Sequence, residues 1–336
     1  MRILESTCAT FLILLVCAPS ARTQRVVFDA SKEVKGDGAF HPVWDPVGPR
    51  LISYRDVSRP DAPAVEESWA DGKKLSFYPV RDLGANYIDV WSVAGSPDGG
   101  VAIAAILGFA ARANRPIPVK SVILTYDGTG TLRNVWNVQP YHPHALAVDA
   151  NGEVFALGHA DLQNKPYPLL IKYSALGEDQ GEYLSSNLFS DGDKVIDEDL
   201  QNGESRIFIR DNLLFTWIAA TEELFTFSVD GAALARTSLS PALTTMADLS
   251  SSARVSIFEL QPDRQRGIVA QVQLWPRDGS PSQVALVKIA PNGTFEKWIE
   301  EPSAAHSRRF LGLTSDDKPL FLERFGRSAV AVNVGQ

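Results

Sequence analysis

Three of the five histidines fall within residues 142–159: His142, His144 and His159. Neutral imidazole is the commonest protein ligand for Zn²⁺ and similar ions. His-Pro-His with a further His 15 residues on is therefore a candidate metal-holding set, and a divalent metal ion is the cofactor it would take. Such an ion would polarise a carbonyl or generate hydroxide, the chemistry of a hydrolase, lactonase or lyase. The competing reading makes all three turn and strand-end histidines with ordinary hydrogen bonds.

Other clusters are weaker. Asp191, Asp193, Asp197, Glu198 and Asp199 would suit Ca²⁺ by residue type. They lack the EF-hand pattern of Gly at the sixth position and Glu at the twelfth, and read as a solvated acidic loop. The chain has no G-x-S-x-G, no G-x-x-x-x-G-K-[ST] and no H-E-x-x-H. Tyr126 to Gly130 is glycine-rich but precedes a strand, so it lacks the helix N-terminus that would hold phosphate.

The elements that must carry these residues repeat along the chain. An apolar strand, a turn rich in Asp, Asn, Gly or Pro and a second apolar strand recur, most plainly from Leu146 to Leu157. The first apolar residues after these turns are Leu51, Val101, Val154, Leu213, Ile268 and Leu320, at intervals of 50, 53, 59, 55 and 52. A second hairpin pattern turns at Gly72, Gly130, Gly177, Gly231 and Gly293, each between two copies of the first. Four short antiparallel strands per unit make a propeller blade. The expected fold is an all-β, six-bladed β-propeller, with blades near 40–80, 88–140, 142–186, 205–240, 253–300 and 307–336. The last unit has three strands, so the β-rich segment Arg25-Val26-Val27-Phe28 is expected to close it as its outer strand.

Residues 142–177 resemble the NHL-type repeat of six-bladed propellers. The likeness lies in Pro143-His144-Ala145-Leu146-Ala147-Val148-Asp149, the Gly152 turn and the Val154-Phe155-Ala156 strand, then Leu170 to Gly177. It implies a fold and no particular chemistry, because such propellers serve as binding platforms, lactonases, lyases and sensors. Lactonase-type propellers hold a divalent cation with Glu, Asn and Asp at inner-strand starts. Glu66, Asn86, Asn202 and Asp248 are of those types, but their places in the repeat do not coincide.

In a propeller the loops between blades, and those joining second to third strands, surround the central channel on one face. The repeat places Arg55, Tyr87, His142, His144, His159, Trp275, Arg309 and Arg324 there as the expected ligand-binding set, with Asp161 and His306 beside them. Trp275 is the tryptophan expected at the channel. Trp44, Trp91, Trp136, Trp217 and Trp298 are expected to pack between blades.

Arg2 and the apolar run from Cys8 to Ala18 have the form of a signal peptide, ended by Ala18-Pro19-Ser20. Residues 1–20 are expected to be removed, leaving residues 21–336 as a single propeller domain, periplasmic or secreted. Both cysteines lie in the removed part. Lipid anchoring at Cys17 fits less well, since Val16 precedes it. No later run reaches 18 apolar residues, so no membrane span is expected after cleavage. The 336 residues carry 32 Lys+Arg against 40 Asp+Glu, a net charge of -8, which argues against nucleic acid as partner. The expected function is an exported binding module whose channel-face loops take a small molecule or an envelope or extracellular protein. A metal-dependent hydrolase, lactonase or lyase in the channel is the alternative.

Overall fold

The computed structural model describes residues 26–29, 41–45, 50–69, 72–109, 119–160, 166–189, 204–304, 308–325 and 329–334, with side chains from residue 41 to residue 322. The expected signal peptide, the acidic loop, Asp161 and His306 lie outside these residues.

After β1 (Val26–Asp29), five four-stranded antiparallel sheets follow one another along the chain. The first holds β2 (His41–Asp45), β3 (Arg50–Tyr54), β4 (Val65–Trp69) and β5 (Lys74–Phe77). A short helix, α1 (Pro79–Leu83), leads to β6 (Tyr87–Gly95), β7 (Val101–Gly108), β8 (Val119–Tyr126) and β9 (Leu132–Asn137). Then come β10 (Tyr141–Val148), β11 (Val154–Ala160), β12 (Pro168–Tyr173) and β13 (Asp179–Ser185). The fourth sheet is β14 (Arg206–Arg210), β15 (Leu213–Ile218), β16 (Glu223–Ser228) and β17 (Ala233–Ser238). A helix, α2 (Ser240–Leu249), precedes β18 (Ser252–Pro262), β19 (Ile268–Pro276), β20 (Gln283–Ile289) and β21 (Phe295–Ser303). The architecture is a β-propeller with four antiparallel strands per blade.

Of the six blades expected, five are thus continuous four-strand blades. The remaining sheet is composite: β22 (Arg309–Leu313), β23 (Pro319–Phe325) and β24 (Ala329–Val334) come from one end of the chain and β1 from the other. β1 lies antiparallel on the outer edge of β24, with Val26 opposite Val332 and Asp29 opposite Ala329.

Local chemistry explains the strands. Leu51, Val101, Val154, Leu213, Ile268 and Leu320 all fall on the first or second residue of the second strand of their sheets. The turn before Leu213 has two residues, Asp211 and Asn212, both at positive φ, the conformation that matches the strand twist of a tight hairpin. Second strands are apolar on both faces because each blade packs between two neighbours; β7 reads VAIAAILG and is buried almost throughout. Fourth strands face water, and β17 is exposed at five of its six residues. The core is accordingly a ring of layers between blades. One joins the first and second sheets around Ile52, Phe77, Ile103 and Leu124. Another joins the fifth sheet to the composite one through Val269, Leu286, Phe310 and Phe321.

Two buried glutamines tie the composite sheet to its neighbour. Gln271 Nε2 donates to the Arg308 carbonyl at 2.9 Å, and its Oε1 accepts from the Phe310 N–H at 3.0 Å. Gln261 Oε1 accepts from the Leu313 N–H at 2.7 Å. Arg210 on β14 reaches further, donating to the Pro262 carbonyl at 2.9 Å and pairing with Asp317 of the composite sheet.

Candidate functional site

The first strands of the sheets, β2, β6, β10, β14, β18 and β22, stand side by side around the axis, with β22 next to β2. A cavity of about 730 Å³ follows that axis and is lined by these strands. Four of the six carry β-bulges, and the extra residues are Trp91, His144, Ala253, Phe258 and Leu311. A bulge breaks the in–out alternation and re-aims a side chain, which is why bulges gather near functional sites. Trp91, His144 and Leu311 line the cavity.

Where the first strands begin, polar groups of both signs meet. Asp56, just after β3, accepts a hydrogen bond from the Val90 N–H of β6 at 2.9 Å. Asp89 lies beside it; burial, a hydrogen bond from carboxyl to carboxyl and the charge of Asp56 push Asp89 up to about 6. Two carboxyls this close resist ionising together, so they share a proton more readily than a lone aspartate would hold one. Across the channel Glu259 on β18 pairs with Arg206 at 3.3 Å and with Arg309 at 3.7 Å. Tyr54, the last residue of β3, lines the same cavity. Burial raises its hydroxyl above the ordinary value, Arg206 and Arg309 pull it back, and Asp56 and Glu259 push it up again. Its O–H donates to the Trp91 carbonyl at 3.4 Å, and its ring lies 5.2 Å from that of His41.

The three clustered histidines do come together, as a stack. Trp91 and His144 lie 4.4 Å apart and 13° from parallel. His144 and His159 follow at 4.9 Å and 10°, with His144 Nε2 and His159 Nδ1 at 3.1 Å. His142 is 5.3 Å from His159. Burial and the two neighbouring imidazoles push His144 down to about 3, so it is neutral at physiological pH. Among the described residues no three His, Cys, Asp or Glu side chains converge as metal ligands. The rings lie face to face, and two of the nitrogens are turned on each other rather than on a common point.

Of the expected ligand-binding set, His144 and Arg309 line the cavity. His142 and His159 stand behind His144 in the stack. Arg55 does not reach the channel: it is 2% exposed and donates through Nε to the Pro63 carbonyl at 3.1 Å. Tyr87 lies across Gly108 of the next strand, where a Cβ would meet its ring at 1.8 Å. Trp275 sits at the outer end of β19 under the Arg254 guanidinium, 5.2 Å from it. Arg324 is on β23, and its side chain lies outside the described ones. Glu66, Asn86 and Asp248 are on β4, before β6 and on α2, and none lines the cavity. Trp136 and Trp217 are buried in layers between blades, whereas Trp44 and Trp91 line the cavity.

Asp56, Asp89, Tyr54, Arg206, Glu259 and Trp91 were not in the expected set. Asp89, Trp91, Arg206 and Glu259 sit on first strands, which is the one positional signal that the repeat supplied.

No family model and no curated protein matches the chain, so the NHL likeness of residues 142–177 is not confirmed. Solved structures do match, 224 chains in all. A member of the DUF4221 family from Bacteroides vulgatus is 8% identical, with a TM-score of 0.48 and coverage of 92% of this chain and 95% of that one. Regucalcin, a calcium-binding protein from Agrobacterium tumefaciens, is 12% identical, with a TM-score of 0.46 and coverage of 88% and 90%. A gluconolactonase from Xanthomonas campestris is 13% identical, with a TM-score of 0.44 and coverage of 87% and 84%. At such identities and scores what these proteins bind does not transfer to this chain.

Proposed function

We propose that the chain is a binding module whose channel takes a small organic molecule at the end where the first strands begin. The composite sheet closes the ring as a sixth blade, and residues 1–20 direct export to the periplasm or exterior. The observation that carries the reading is the cavity of about 730 Å³ lined by converging polar groups and by Trp91, His144 and Tyr54. A concave site of a few hundred Å³ with a few placed polar groups and an aromatic wall is the usual form of a small-molecule site. It favours a small ligand over a protein partner, which would need a broad face rather than a shaft. The stacked histidines, with two nitrogens paired to each other, support binding by an aromatic wall ahead of a metal-dependent reaction.

The test is a chemically broad fragment library screened by ligand-observed NMR against the wild-type protein and Trp91→Ala. The reading expects hits that disappear in the variant while its circular dichroism stays unchanged. A library that yields no Trp91-dependent binder would overturn it. Export is tested separately, by N-terminal sequencing of the protein recovered from cell fractions, where a start near residue 21 is expected.

A further inference from the structure

The channel site sorts its charges, and the sorting names a ligand class. On the side of the first two blades Asp56 and Asp89 face the cavity together. On another side of it Glu259 pairs with Arg206 at 3.3 Å and more loosely with Arg309 at 3.7 Å. Arg309 is half exposed and lines the cavity. Tyr54 lines the same cavity, and its hydroxyl is influenced by charges of both groups. Trp91 lines the cavity too, and its carbonyl accepts the Tyr54 O–H at 3.4 Å.

We propose that this site binds a small zwitterion of amino-acid type, its ammonium against Asp56 and Asp89 and its carboxylate against Arg309. This rests on the channel being a small-molecule site. A ligand of one sign would leave one of the two charged groups without a counter-charge in a partly dehydrated cavity, at a cost a zwitterion avoids. An ammonium also gains from the faces of Trp91 and Tyr54, since aromatic rings attract cations. The guanidinium fork suits a planar carboxylate.

The experiment is isothermal titration of the whole protein with the proteinogenic amino acids. The tightest is then compared with the matched acid that lacks the ammonium and the matched amine that lacks the carboxylate. Each deletion is expected to weaken binding at least about tenfold. Asp89→Asn should remove the difference between amino acid and acid, and Arg309→Gln the difference between amino acid and amine. If no amino acid binds, or if the acid or amine binds within about threefold of it, the zwitterion is wrong. A Trp91-dependent neutral or singly charged binder from the library would then leave the channel function standing. No binder of any kind would remove both.

Discussion

His144 Nε2 lies 3.1 Å from His159 Nδ1, with the rings 10° from parallel and Trp91 stacked on the far side of His144. One nitrogen of the pair must carry the proton and the other accept it, so the arrangement holds both rings in chosen tautomers. It also has no place for a second charge. His144 is held near 3 in the fold, against about 6.5 in an unfolded chain. Between those values the unfolded state binds a proton the fold refuses, so stability falls as pH drops from about 6.5 toward 3. His144→Phe should flatten that acid limb. Calorimetric melting from pH 7 to pH 4 checks it, and equal slopes for variant and wild type would refute it.

Glu67 gives the opposite pH dependence. It is fully buried, 2.9 Å from Arg50 Nη1, and the two atoms are not aligned as a hydrogen bond. Arg50 Nε is meanwhile bound to Asp45 at 2.5 Å, and Nη2 to the Ser96 carbonyl at 2.9 Å. Burial pushes Glu67 up to about 8, Arg50 opposing and Asp45 adding to the rise. Its folded value lies above the unfolded one, so its contribution is whole below about 4.5 and is lost as pH rises through about 8. Glu67→Gln should melt later than wild type at pH 8 and with little difference at pH 4.5. Arg50→Met, which takes their charged partner from buried Asp45 and Glu67, should cost about 3–5 kcal/mol.

Asp89 sets the pH dependence of the channel. Beside it is Asp56, with Tyr54, His41, His144, Glu259, Arg206 and Arg309 lining the same cavity. Since burial and Asp56 hold it near 6, an ammonium-bearing ligand should bind more tightly as pH rises through about 6. Affinities of the amino acid at pH 5 and pH 7.5 measure this, and Asp89→Asn should reduce the difference.

Two glycines separate backbone from side-chain clashes. A Cβ at Gly158 would stand 2.0 Å from the His142 carbonyl oxygen, opposite the β10 bulge. Backbone on both sides cannot yield, and Gly158→Ala should cost about 3 kcal/mol. At Gly108 the obstacle is the Tyr87 ring at 1.8 Å, which can swing away, so Gly108→Ala should cost about 1 kcal/mol. Urea unfolding of the two variants gives the order.

Arg210 should matter to ring closure. It joins β14 to Pro262 of the fifth sheet and to Asp317 of the composite sheet. Arg210→Met removes hydrogen bonds from a charged donor and should cost about 2 kcal/mol. Protease cleavage near the chain ends should quicken in parallel; unchanged cleavage would show that the composite sheet is held by Gln261, Gln271 and the Phe310 layer alone.

The repeat was legible because its causes are local. Gly72, Gly130, Gly177, Gly231 and Gly293 all have positive φ, and each lies between a third and a fourth strand, where their spacing puts them. The boundaries of the five continuous blades likewise fall within a few residues of those read from the strand–turn rhythm. Side-chain direction was another matter. Period two says which way a strand residue points only while the register holds, and the bulges at Trp91 and His144 break it. Trp91 therefore lines the channel, while Arg55 and Trp275 are held by contacts within their own blades.

The sequence by itself determined the strands, their turns and the order of the sheets, since each depends on residues a few positions apart. Only the tertiary structure decided the site. Asp56 and Asp89, or Glu259 and Arg309, are 33 and 50 residues apart along the chain. They become neighbours because six first strands converge on one axis, and no local pattern records which residue of one strand will face which residue of another.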